Sequence, residues 1–142
     1  MTTIPGWVVL GLLSAVFAAL VAILAKVGLQ EVDATLATTV RAVIMALLLV
    51  AASAATGRLG LLVGVSGNAW AFIILSGVAG AASWLCYFLA IQAGTASRVS
   101  ALDRLSIVFV VLLAGLFLGE GLGPSRLLGA ALIVGGAVLV AR

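Results

Sequence analysis

Histidine is missing from this 142-residue chain, cysteine and tyrosine occur once each, proline twice, and only four residues are acidic. Each scarcity excludes something. Without histidine and with a single cysteine, one chain cannot assemble a metal cage from soft ligands, and no internal disulfide can close. There is no Gly-rich phosphate loop ending in lysine and no pair of deep carboxylates, so no catalytic set is visible and no cofactor is expected. Cys86, in an apolar stretch, reads as a small packing residue. The seven basic residues stand singly, with no run and no interleaved aromatics, so the pI near 10.0 is not the footprint of a nucleic-acid binder. The largest deficit is charge itself. Only 8% of the residues are charged, against roughly 25% in soluble domains.

What fills the space is apolar. Hydrophobic residues make up 65% of the chain and the mean hydropathy is +1.45. Residues 1–25 hold no charge, and neither do residues 59–97. A helix needs about 20 apolar residues to cross the ~30 Å hydrocarbon core. The reading is an all-α integral membrane protein, a single domain over residues 1–142 with lipid around it. Five crossings are expected, at about 4–28, 34–56, 69–92, 97–118 and 125–141. No Lys or Arg precedes Lys26, unlike the basic start of a signal peptide, so the first stretch is read as a retained helix.

An odd number of crossings places the N- and C-termini on opposite sides. Lys26, Arg98 and Arg142, with Arg41 and Arg104 nearby inside helices, gather on one face, and Arg58 and Arg126 on the other. The positive-inside rule then favours an external N-terminus and a cytoplasmic C-terminus, by a thin margin that leaves insertion both ways open. Lys26 is expected to snorkel, Trp70 to sit in an aromatic belt, and Pro124 to open the last helix.

Helices in lipid associate through small residues. In the third crossing Ser76, Gly80, Ser83 and Tyr87 share one face, and Gly77 with Ala81 adds a second small pair. In the fifth, Gly129, Leu132, Ile133 and Gly136 share a face that suits packing within the chain or between two chains. Arg41 and Asp103 stand apart, because a charge deep in a span costs about 2.5 kcal/mol or more without a partner or water. Arg41 lies about seven residues into the second crossing and Asp103 about six into the fourth, roughly 10 and 9 Å of rise from the same membrane face. Similar depth makes them candidate neighbours. They either anchor two helices or, with Ser106 one turn from Asp103, line a watery cavity for a polar or anionic solute. Glu120, at the far interface, reads as a boundary residue.

Several of these segments carry a resemblance. They are Lys26, the Ala37-Thr38-Thr39-Val40-Arg41 stretch, Ala82-Ser83-Trp84-Leu85-Cys86-Tyr87-Phe88, and the run from Ala96 to Gly136. That run holds Ala96-Ser97-Arg98-Val99, Asp103-Arg104-Leu105-Ser106, Leu118-Gly119-Glu120 and Gly129-x-x-Leu132-Ile133-x-x-Gly136. The chain resembles the drug/metabolite transporter superfamily, and specifically the EamA domain in its small, single-repeat, five-helix form. The last motif is also similar to the dimerising helix of small multidrug transporters. The resemblance implies a multi-pass protein of the bacterial cytoplasmic (inner) membrane. Larger relatives fuse two inverted five-helix repeats around a cavity, so a single repeat implies a homodimer, most simply an antiparallel one. It also implies a carrier that moves small organic metabolites by alternating access. Arg41, Ser83, Trp84, Tyr87, Asp103 and Ser106 are the expected cavity residues. Two departures are visible. The first helix lacks the acid that small multidrug transporters use for proton coupling, and Leu89 stands where small relatives often place a basic residue. The rival readings are a non-transporting subunit of a larger complex and a component of a lipid-linked sugar flippase.

Overall fold

A computed structural model describes residues 5–142, and all five crossings lie within them. The expected start of the first helix at Ile4 falls outside the described residues. The elements are α1 (Gly6–Gly28), α2 (Ala34–Ala55), a 3₁₀ segment (Arg58–Gly64), α3 (Gly67–Ala93), α4 (Ala96–Asp103), α5 (Ser106–Phe117) and α6 (Pro124–Ala141). With α4 and α5 counted as one crossing, five helices are long and apolar enough to span a bilayer, and no strand occurs among the described residues. The fold is all-α and membrane-spanning. α3, at 27 residues, rises about 40 Å and outruns the ~30 Å hydrocarbon core.

The helix ends follow from local chemistry. Asp33 caps α2, its carboxylate accepting from the backbone N–H of Thr35 at 2.8 Å and of Leu36 at 3.1 Å. Ser66 starts α3 in the same manner, its hydroxyl accepting from Ala69 N–H at 3.3 Å. α4 begins at Ala96, after Thr95, without a side-chain cap. Pro124 occupies the first turn of α6, where its missing N–H costs nothing.

The fourth crossing is not one smooth helix. Arg104 and Leu105 adopt ψ of −14° and −18°, and the bonds tighten to a 3₁₀ pattern, Leu105 N–H to Leu102 O at 3.0 Å and Ile107 N–H to Arg104 O at 3.1 Å. Asp103 and Ser106, both weaker helix formers than the leucines and alanines around them, bracket this turn.

The chain forms two compact units. In the unit of residues 5–27 and 93–142, α6 packs against both α4 and α5. Arg98 donates to the Arg142 carbonyl at 2.7 Å at one end of this hairpin, and Arg126 pairs with Glu120 at 3.1 Å at the other. Lys26 does more than snorkel. Its ammonium donates to the Gly94 carbonyl at 2.7 Å and ties α1 to the entry of α4. In the unit of residues 28–92, the 3₁₀ segment folds back on α2, and Gln92 donates to the Val32 carbonyl at 3.3 Å.

Very little is buried. Among the described residues only Ala22, Leu29, Ala34, Phe88, Ile91 and Ala137 form a core, while side chains as large as Phe72 stand 74% exposed. In water such a surface would aggregate; in a bilayer it is the solvent-facing surface.

The turn between α5 and α6 depends on Gly119, whose φ of +66° lets Glu120 N–H reach back to the Ala114 carbonyl at 3.2 Å. Gly119→Ala is expected to lower stability by roughly 1–2 kcal/mol, because an L-residue resists that conformation. Gly121→Ala, at ordinary φ and in open space, serves as the control and should be neutral. Unfolding in mixed detergent micelles reads both.

Candidate functional site

The second unit holds the more developed site. Along α2, residues 38, 42, 45, 46 and 49 recur at helical spacing and form one wall of a groove of about 810 Å³. Gly77, Ala81, Trp84 and Leu85 of α3 form the other. Small residues at 77 and 81 keep the α3 wall low. The volume lies within the usual range for small-molecule sites, roughly 300–1,000 Å³.

Arg41 sits at the polar end. Its guanidinium carbon lies 3.5 Å from the centroid of the Trp84 ring and 5.4 Å from that of Phe88. A flat guanidinium laid on an indole face gains electrostatic attraction to the ring and keeps its N–H edge available. The platform is itself braced. Trp84 meets Tyr87 edge-on at 5.7 Å and Phe88 at 5.9 Å, and Phe88 is 3% exposed. These rings recur at i, i+3 and i+4, so the helix itself sets their spacing. Three threonines, Thr35, Thr38 and Thr39, share the groove with Arg41. The hydroxyls of Thr38 and Thr39 donate to the carbonyls of Ala34 and Thr35 at 2.7 and 2.9 Å, so neither is an unsatisfied donor in a low-dielectric setting.

The expected cavity residues fall in both units. Arg41 and Trp84 meet directly, Tyr87 braces Trp84, and Ser83 is exposed on α3 beside them. Asp103 and Ser106 belong to the other unit, on either side of the break between α4 and α5, and both are exposed. Gly77 lines the groove and Gly80 is half-buried on α3. In α6, Gly129 and Ile133 face a smaller groove of about 430 Å³ against α5, with the Glu120–Arg126 pair at its edge. Leu132, 68% exposed, and Gly136 point outward from the same helix. Sequence reasoning missed Phe88, Thr35, Thr38 and Thr39. The helical spacing of Phe88 from Trp84 was a readable signal, and so were Thr38 and Thr35, three and six residues before Arg41, whereas Thr39 at two residues gave none.

Comparison with known proteins agrees with this architecture. Residues 5–142 match the EamA-like transporter family. The chain belongs to that family. It is also similar to a protein of Sinorhizobium sp. described as an uncharacterized transporter in the cobO 3' region. The two are 46% identical over 135 residues, covering 95% of this chain and 96% of the relative. No solved structure matches. EamA-family members are transporters rather than enzymes, so this chain is a multi-pass membrane transporter without a catalytic centre.

The ring cluster yields a stability test. Phe88→Ala should cost about 3 kcal/mol or more, the usual range for deleting a buried phenyl group. Ser83→Ala, at an exposed position, should stay within about 0.5 kcal/mol. Thermal denaturation in detergent compares the two, and equal effects would mean that Phe88 does not support the platform.

Proposed function

We propose that this EamA-family chain is a carrier of small organic metabolites that works by alternating access as a dimer of five-helix repeats. The proposed location is a bacterial cytoplasmic membrane. The observation that carries the reading is Arg41, a cation within a membrane span, laid on the Trp84 ring at the polar end of an otherwise apolar groove. A residue retained only to hold two helices together needs no open volume beside it. A solute site needs both the volume and an uncommitted polar group. A single repeat supplies half of what the larger carriers fuse into one chain, so a second copy is the simplest completion. The outward-facing Leu132 and Gly136 of α6 are the proposed contact, with Gly129 and Ile133 one turn away. An antiparallel pair is consistent with the thin charge bias between the two faces.

Trp84 and Tyr87 would offer ring faces and a hydroxyl to the solute, Ser83 a second hydroxyl, and Arg41 its N–H donors. Asp103 and Ser106 are proposed as the further polar residues of the transport path. The 3₁₀ turn beside them is a natural bending point, because tightened bonds in mid-helix mark a weaker ladder.

Uptake into vesicles holding the purified protein tests this reading, with the internal contents read by mass spectrometry after exposure to a mixture of organic acids, amino acids and amines. Arg41→Ala and Asp103→Asn should each reduce protein-dependent uptake at least tenfold while the protein still inserts. Undiminished flux in both variants would remove these residues from transport. No uptake of any solute by the parent protein would overturn the carrier reading.

A further inference from the structure

The groove beside Arg41 carries more information than its size. A stacked guanidinium uses its face and leaves its planar edge of N–H donors free. Among the described residues, no hydrogen bond or ion pair reaches that edge, and the titratable group that interacts electrostatically with Arg41 is the Tyr87 phenol. Its own unit contains two acids, and neither is beside it. Asp33 is committed to capping α2, and Glu31 lies in the exposed link before it. No other ionisable side chain lines the groove.

The remaining lining is graded. Thr35, Thr38 and Thr39 cluster at the Arg41 end, and Met45, Ala46 and Leu49 follow along the same helix. From Thr35 to Leu49 the wall extends about 21 Å. One end therefore offers a positive charge and hydroxyls, and the other offers only hydrocarbon. We propose that this groove binds a small organic monoanion, its charged group held on the free edge of Arg41 and its apolar body laid toward Met45 and Leu49. The inference rests on the carrier reading for the purpose of the site, and binding alone is enough to test it.

Charge counting excludes the alternatives. A monoanion neutralises the one cation in a setting where an unpaired charge is expensive. A dianion would leave one charge over. A zwitterion would bring an ammonium to a groove with no carboxylate, where the hydroxyls of Thr38 and Thr39 are neutral oxygens beside a positive guanidinium. A cation would meet direct repulsion. Depth separates a free solute from a lipid. Arg41 lies seven residues beyond the first residue of α2, about 10 Å of rise. A lipid phosphate is held at the headgroup level and does not follow it there, whereas a free anion does.

Permanently charged probes make the test clean, because weak carboxylic acids cross bilayers unaided in their neutral form. Binding to the detergent-purified full chain would be measured by thermal shift and tryptophan fluorescence. The probes are benzenesulfonate, 1,3-benzenedisulfonate and trimethylphenylammonium, which share one ring and differ in charge. Benzenesulfonate should bind saturably and at least tenfold more tightly than either other probe. Arg41→Gln should weaken it tenfold or more, and Arg41→Lys should retain part of the affinity. The ranking of probes on the unaltered protein stands even if a variant fails to fold. Preference for the cation, parity of the two sulfonates, or unchanged affinity in a folded Arg41→Gln protein would overturn the proposal. So would a co-purified phospholipid that must be stripped before the anion binds, or a second copy whose cross-links fill the groove and exclude benzenesulfonate. Vesicle flux separates the two readings. Transport of other solutes without benzenesulfonate binding keeps the carrier and ends this inference, whereas benzenesulfonate binding without flux of any solute does the reverse.

Discussion

In hydrocarbon there is no water to take up a free N–H, a free carbonyl or a charge, and every polar atom of this chain must be accommodated by the chain itself or by what it binds. That constraint makes the backbone helical at each crossing and leaves no strand among the described residues. It also governs where the few charges go. Lys26 donates to a carbonyl beyond the end of α3, Arg98 to one at the end of α6, Arg126 pairs with Glu120, and Asp33 holds the first turn of α2. All four arrangements lie at helix ends or links, where a few ångströms separate the group from the interface.

Arg41 and Asp103 lie deeper, and Arg41 is the one that lines a groove. Arg41 sits a third of the way along α2 and lies against the rings of Trp84 and Phe88. Cation–π attraction is worth about 0.5–2 kcal/mol, which does not fully offset the cost of a charge at depth. The difference has to come from elsewhere in the assembled transporter, and an occupant of the adjoining groove is the economical source. Structure and proposed function meet at this point: a charge set deep in lipid is the group we propose to recognise a solute.

Much of the fold was legible because lipid imposes long, uninterrupted apolar runs. The uncharged spans at residues 1–25 and 59–97 set two crossings directly. Pro124 marks the start of the last helix through chemistry that needs no tertiary information. The break at Arg104–Leu105 was not legible, since no proline or glycine announces it and weak helix formers such as Asp103 and Ser106 also occur in unbroken helices. The site was legible in its parts only. Depth counting singled out Arg41 as a charge needing a partner, but it gives distance along a helix and nothing about rotation between helices. The stacking of Arg41 on Trp84 depends on that rotation, and so does the inclusion of the threonines.

The claim beneath all of this is that bilayer hydrocarbon surrounds five successive crossings, and labelling of single cysteines in intact membranes tests it most directly. On a Cys86→Ala background, cysteines at Glu31, Gly60, Thr95 and Gly121 would be challenged from each side with a membrane-impermeant maleimide. The account predicts that Glu31 and Thr95 react from one side and Gly60 and Gly121 from the other, or that all four react from both sides if the protein inserts in both orientations. Consecutive links reacting from the same side alone would contradict it.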